Sequence, residues 1–324
     1  MADNLNTQPV VWAVVLGWNH AEDTIECLDS LARCRDVSLR RLYVDNGSRP
    51  EEAQKVLDGA PGVEVIRHEQ NVGVSRGFNG GLAWALRKGA DFVFMANNDT
   101  IMTPDSIALL LQAAAKRPTV GMLVPKIYYH EAPDTLWSAG ARFRCFPPAI
   151  VMNKTKGPDD GRYDGQGDLD FSTLCTVLIR AEALKAMGLM DPNFLFYFED
   201  YDFCLRMRES GWGIALVPEA RTQHKVARVT RAGSSSPLFW ETSGRSAAIF
   251  SRRHGGRHPW LAGPAMRGYV SLRARFEGGR EAAGPFCRGM KDGLAMALKP
   301  VVAWNDRAVD PVTALRELFT GRPA

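Results

Sequence analysis

The chain has 324 residues, 45% of them hydrophobic and 23% charged, with 40 Lys and Arg against 36 Asp and Glu. This composition is that of an ordinary globular protein, long enough to bury a substantial core in one large domain with an appendage. Its longest apolar stretch near the start, Val10 to Leu16, falls far short of the roughly 20 residues that cross a bilayer, and no charged segment precedes it, so the expectation is a cytoplasmic chain that is neither secreted nor membrane-spanning.

In chain order, Val10 to Leu16 reads as a buried strand that ends at Gly17-Trp18-Asn19. A helix follows, with Ile25, Leu28 and Leu31 on one face and Asp23 or Thr24 as its cap. Arg41 to Val44 is a second strand, stopped by the turn signal Asp45-Asn46-Gly47-Ser48. The unit repeats as a helix near Glu51 to Leu57, a strand at Val63 to Arg67, a glycine-rich loop at Asn71 to Gly81 leading into a helix, and a strand at Asp91 to Met95. Beyond Ser106 come a helix to Lys116, a strand at Val120 to Pro125 and a Gly/Pro/Asp-rich excursion from Phe146 to Gly167 that reads as a mobile loop. A strand at Leu174 to Ile179, helices at Ala181 to Met187 and Asp200 to Ser210, and a strand at Gly213 to Val217 complete the globular part.

Strands alternating with helices predict an α/β fold with a mostly parallel sheet covered on both faces, and such sheets bind ligands beyond the carboxyl ends of their strands. Gly17-Trp18-Asn19, Asp45-Asn46-Gly47-Ser48 and Asn97-Asn98-Asp99 each follow a strand, so all three are expected at one crevice. Asp99 can serve a hard divalent cation, which is usually held by one or two carboxylates plus substrate phosphates; the competing reading is a turn that caps the next helix. Glu199-Asp200-Tyr201-Asp202 follows the aromatic run Phe194 to Phe198. Acids beside aromatics can have the raised pKa of a general base, whereas acids in a helical first turn, with Asp202 and Arg206 at i, i+4, are also ordinary structure. His224 is a candidate metal ligand or a plain polar residue. The Asn71 to Gly81 loop offers flexible backbone, a helix amino end and the charge of Arg76, but it has neither a P-loop lysine nor a dinucleotide fingerprint.

In this order and spacing, Val14-Val15-Leu16-Gly17-Trp18-Asn19, Val44-Asp45-Asn46-Gly47-Ser48, Asn71-Val72-Gly73 through Asn79-Gly80-Gly81, Asn97-Asn98-Asp99-Thr100, Phe198 to Arg206 and His224 resemble the family 2 glycosyltransferases of GT-A fold, in their rhamnosyltransferase and galactofuranosyltransferase-like branch, over residues 10 to 255. The resemblance implies an inverting, metal-dependent hexosyltransferase. Its donor would be a nucleotide diphosphate sugar, a dTDP- or UDP-sugar with a rhamnose-like residue favoured, and its acceptor a glycan or lipid-linked glycan. By the same resemblance, Gly17, Trp18, Asn19 and Asp45 hold base and ribose, while Asn71, Arg76 and Asn79 lie near ribose and phosphates. Asn97-Asn98-Asp99 stands in place of the family's DxD motif, with Asn97 replacing its first acid. Asp99 and His224 bind Mg²⁺ or Mn²⁺, Asp200 is the catalytic base, and Glu199 orients the acceptor.

Six cysteines without CxxC spacing argue against a zinc site or a disulfide framework. From Arg245 to Lys291 there are ten Lys or Arg against Glu277 and Glu281, which leaves the remainder of the chain at −4. We divide the chain into residues 1–254, catalytic, and 255–324, a basic helical extension. In the extension, Arg257, Arg267, Arg273, Arg275, Arg280, Arg288 and Lys291 mix with Trp260, Leu261, Met266, Tyr269, Val270 and Leu272. Two readings stand: peripheral contact with an anionic membrane at its inner face, or packing on the catalytic domain or a second copy in a homo-oligomer. No recognisable nucleic-acid-binding motif accompanies the charge, so no nucleic acid is expected as partner. A nucleotidyltransferase and a turnover-deficient carbohydrate- or nucleotide-binding protein are the competing functions.

Overall fold

The computed structural model describes residues 8–145, 148–152, 157–165, 167–226, 236–255, 268 and 282–304. Its centre is a sheet in which β1 (Val11–Gly17), β2 (Leu39–Asp45), β3 (Glu64–Arg67) and β4 (Phe92–Asn97) are parallel neighbours. The first three are linked by α1 (Ala21–Ala32) and α2 (Pro50–Gly59), and α3 (Val74–Arg87) leads into β4. The run Val11 to Leu16 is apolar at every position because both faces of β1 are covered. Trp12, Val14 and Leu16 enter one hydrophobic cluster and Val11, Ala13 and Val15 the other.

The sheet continues through β5 (Thr100–Met102), β6 (Val120–Tyr129), β7 (Ala132–Ser138), β10 (Asp168–Leu169), β11 (Thr176–Arg180) and β12 (Gly213–His224). Helices α4 (Ser106–Lys116), α5 (Ala181–Met187) and α6 (Glu199–Glu209) complete this part. Along the order β10-β12-β6-β11-β4-β1-β2-β3, only β10 and β11 oppose the common direction, so the mostly parallel expectation holds.

Three local expectations need correction. The cap of α1 is His20, in a left-handed conformation, rather than Asp23 or Thr24; the Ala21 N–H is taken by Glu52 Oε2 of α2 at 2.9 Å. The strand expected to stop at Val217 continues to His224, absorbing Pro218 to Ala220 in a register shift, because ten-residue β6 offers a partner along its whole length and β5 pairs on the other side. The excursion read as a mobile loop contains β9 (Pro148–Met152), which pairs with β8 (Ala141–Cys145) just before it. Its residues 157–165 are pinned by buried Lys126, which forms ion pairs with Asp159 at 2.7 Å and with Asp164, while Tyr128 OH donates to Asp159 at 2.6 Å.

Past the sheet, α7 (Pro237–His254) packs on α6 through Phe194, Leu205, Ile249 and Phe250. A further helix, α8 (residues 282–295), crosses α7 with Trp240, Ala247, Phe286 and Met290 at the contact. The crossing is close enough that a Cβ on Gly244, Gly289 or Gly293 would strike backbone of the facing helix. The chain then returns to the sheet, where Val302 and Trp304 pack against its core. Most of the basic extension, including Arg257, Arg267, Arg273, Arg275, Arg280, Trp260, Leu261, Met266, Tyr269, Val270 and Leu272, lies outside the described residues.

Candidate active site

Parallel registry brings the first three clusters together. Gly17 lies beside Asp45, and Leu16 beside Asn97, so the carboxyl ends of β2, β1 and β4 form one rim. Gly17 is fixed by space, since a Cβ there would press on Tyr43 and Asn98. Asn19 bridges two of the loops, its N–H donating to Ser48 Oγ at 2.7 Å and its Oδ1 accepting from Arg49 N at 3.0 Å. Trp18 between them is 45% exposed, an uncommitted aromatic face on the rim. Asp45 is buried, accepts from Ser48 N at 2.9 Å and lies 3.2 Å from Arg67 Nε.

The glycine-rich loop is built mainly to hold itself in place. Asn71 receives the amide of Asn46 at 3.2 Å and its own Gly73 N–H at 2.9 Å. Asn79 is buried, with its amide nitrogen and oxygen bound to the Met190 backbone at 2.8 and 2.9 Å, so it braces the wall of the site. Arg76 Nε donates to Pro192 O at 3.0 Å. Asn98 donates to Thr24 Oγ1 at 2.9 Å, and Asn97, the last residue of β4, is tied by its backbone N–H to Cys175 O at 2.8 Å.

Asp99 and His224 meet directly. The pairing of β5 with β12 puts His224 opposite Thr100, Lys225 N donates to Asp99 O at 2.9 Å, and His224 Nε2 lies 3.1 Å from Asp99 Oδ2. Trp137 sets an edge-on ring 4.5 Å from the imidazole, and buried His224 Nδ1 finds no hydrogen-bond partner among the described residues. Lys225 fastens this corner to α1 through Asp23 at 2.5 Å and Glu26 at 2.6 Å. One carboxylate and one imidazole suit a divalent ion whose remaining ligands come from a diphosphate and water. No group of three or more His, Cys, Asp or Glu among the described residues forms a complete protein cage.

Glu199 and Asp200 open α6 after two consecutive left-handed residues, Tyr197 and Phe198, each at φ 66°. Bulky residues in that region cost about 1–3 kcal/mol apiece and persist only where their surroundings hold them. Both acids keep part of their surface open to solvent, yet dense protein around their carboxyls makes desolvation the dominant influence. Burial raises both pKa values above the ordinary carboxylate range, and the Asp200 charge adds to the rise at Glu199. Tyr201 N donates to Asp200 Oδ1 at 2.9 Å, whereas buried Glu199 Oε2 has no partner among the described residues.

Asp202, two residues on, has the opposite character. Burial alone would raise its pKa, but Arg206 at 2.8 Å and His254 at 2.9 Å prevail and hold it below the usual value. It joins α6 to α7. The acid pair and the Asp99–His224 pair are linked through residues 172–175, where Ser172 meets Cys204 of α6 and Cys175 holds Asn97. Sequence reasoning missed Trp137, Arg67 and the Asp202–His254 contact. None has a local signal, since each partner comes from a distant element.

A family model described as glycosyltransferase like family 2 matches residues 9–245. An N-acetylglucosaminyl-diphospho-decaprenol L-rhamnosyltransferase of Mycobacterium tuberculosis is 28% identical over 293 residues, covering 82% of this chain and 91% of that protein. Galactofuranosyltransferase GlfT1 of the same organism is 23% identical over 206 residues, covering 62% of this chain and 65% of its own length. Among solved structures, mannosyltransferase PcManGT from Pyrobaculum calidifontis, in complex with GDP-Man and Mn²⁺, is similar at TM-score 0.54 and 15% identity over 97% of this chain and 79% of that one. GalNAc-T7 with UDP, GalNAc and Mn²⁺ gives TM-score 0.54 and 16% identity over 89% of this chain, which spans 56% of that structure's length. These likenesses agree with the GT-A architecture of the sheet.

Proposed function

Because the chain belongs to glycosyltransferase-like family 2, we propose that it transfers a sugar with inversion from a nucleoside diphosphate donor to a glycan or lipid-linked glycan acceptor. The observation that carries this reading is the division of the site into two unlike pairs. Asp99 with His224 is suited to a cation and a diphosphate, and Glu199 with Asp200 to a proton. The donor's nucleoside lies against Gly17, Trp18, Asn19 and Asp45 on the rim, with Arg76 toward its phosphates. Asp99 and His224 hold Mg²⁺ or Mn²⁺, which when bound neutralises charge on the leaving diphosphate.

Asp200 accepts the proton of the acceptor hydroxyl as that oxygen bonds to the anomeric carbon. The bond from that carbon to the diphosphate breaks on the opposite face, so one displacement inverts the configuration. Glu199, with an uncommitted oxygen beside the base, orients the acceptor. The rhamnosyltransferase relative supports a rhamnose-like sugar, which we take to be carried on dTDP or UDP, and its decaprenol-linked substrate supports a lipid-linked acceptor. Such an acceptor would draw the protein to the inner face of a membrane through residues 255–324. No helix among the described residues is long and apolar enough to cross one.

The test is a thermal-shift series with dTDP-rhamnose, UDP-galactose and UDP-glucose, each with and without Mn²⁺. A ligand that binds only the native state raises the melting temperature. The expected result is a rise for at least one nucleotide sugar that depends on Mn²⁺; no rise with any of them would count against the proposal.

A further inference from the structure

The segment leading to Asp200 is held from three sides, and on two of them the contacting residues lie beyond the family-matched residues. From α3, Asn79 binds Met190, Arg76 binds Pro192 O, and Val74 N donates to Leu195 O at 2.8 Å. From α7, Ser246 Oγ donates to Phe196 O at 2.8 Å and Arg253 Nε to buried Asp191 at 2.6 Å. From the returning C-terminal segment, Val302 O accepts Leu189 N at 3.0 Å. Asn193 closes a two-way bridge to the Lys299 backbone, donating to its carbonyl at 2.8 Å and accepting its N–H at 2.9 Å. Arg253 also donates to Lys299 O, so one guanidinium ties α7, Asp191 and the returning chain together. The match to the family ends at residue 245, before Ser246, Arg253, Lys299 and Val302.

We infer that Asn193 and Arg253, acting on Asp191 and the Lys299 backbone, are positioning residues for Asp200. The reasoning rests on the reading of Asp200 as the base. Tyr197 and Phe198 sit between this clamp and the acid pair in a conformation that bulky residues seldom adopt. A strained turn relaxes unless both of its ends are fixed. Downstream, Asp202 is locked by Arg206 and His254. Upstream, Val74 and Ser246 each hold one carbonyl, at Leu195 and Phe196, and side-chain fixing falls to Asp191 and Asn193, which are 1% and 4% exposed and bonded to residues over 60 positions away. Releasing that end lets the turn unwind and shifts the carboxylate, while the donor rim on β1, β2 and β4 keeps its geometry. The returning segment is thus part of the catalytic unit.

The full-length Asn193→Ala and Arg253→Lys variants test this. Asn193→Ala removes the bridge and keeps the Asp191–Arg253 ion pair; Arg253→Lys keeps the buried charge but cannot span Asp191 and Lys299 together. The clamp predicts that kcat falls at least about tenfold, on the scale by which small misplacements slow reactions, while donor KM and calorimetric donor affinity stay within about twofold. Wild-type kcat in folded variants, or a matching loss of donor affinity, would overturn it. If one variant fails to fold, the other carries the same comparison. Asp200→Asn measured alongside separates the two readings: full turnover there removes the base, whereas lost turnover there with unimpaired Asn193→Ala and Arg253→Lys removes only the clamp.

Discussion

A carboxylate serves as a base near neutrality only if its surroundings resist the charge, and Asp200 carries that resistance as a cost in stability. Its raised pKa means that the folded state holds the proton more tightly than the unfolded chain. Stability contributed by the protonated form is full at low pH and is lost as pH climbs from the ordinary carboxylate value through the raised one. In the proposed role activity runs the other way, because only the deprotonated form accepts a proton. The acid limb of kcat/KM should therefore lie above the ordinary carboxylate pKa, with turnover rising as pH increases through it. A limb at the usual carboxylate value would show that Asp200 is not desolvated in the working enzyme. Asp200→Asn should cut kcat by at least about a hundredfold, the scale of a lost general base, and raise the melting temperature above neutral pH, where the wild-type charge is buried. Near wild-type turnover with both substrates saturating would remove Asp200 from the role. Asp202 differs in kind: Asp202→Ala leaves Arg206 and His254 without their buried partner and should cost about 3–5 kcal/mol of stability in urea unfolding.

At the scale of elements, the parallel half of the sheet was legible because its signals are local. Val10 to Leu16 and Phe92 to Ala96 are apolar throughout, as strands buried on both faces must be, and the first stops at Gly17, the second at Asn97. The convergence of Gly17, Asp45 and Asn97 followed from that topology alone. What stayed hidden depends on partners remote in sequence. Nothing near Lys126 announces that Asp159 and Asp164 will close over it, so residues 157–165 read as a loose excursion. The brace from Asn79 to Met190 was hidden for the same reason, since it spans 111 positions. The α7–α8 crossing was equally invisible, since glycines within helices suggest weakness until a second backbone lies against them. Gly289→Ala would drive a methyl group into the Glu241 carbonyl. It should destabilise by about 1–3 kcal/mol or more, the cost of overpacking, despite alanine's better helix propensity. A melting temperature equal to or above wild type would refute that close approach.

For the whole molecule, α7 and the described part of the C-terminal segment pack on the sheet-bearing part of the chain. Phe250, His254, Lys299 and Val302 all reach the region around α6 and its preceding loop. The central claim is that donor and cation are held by one set of groups and the acceptor proton by another, on opposite sides of one anomeric carbon. The direct measurement is calorimetric titration of a nucleoside diphosphate sugar, with and without Mn²⁺, into wild-type protein and the Asp99→Ala, His224→Ala and Asp200→Asn variants. Mn²⁺-dependent affinity should persist in wild type and Asp200→Asn and vanish in the other two. Equal affinity in all four proteins, or its loss in Asp200→Asn alone, would contradict the account.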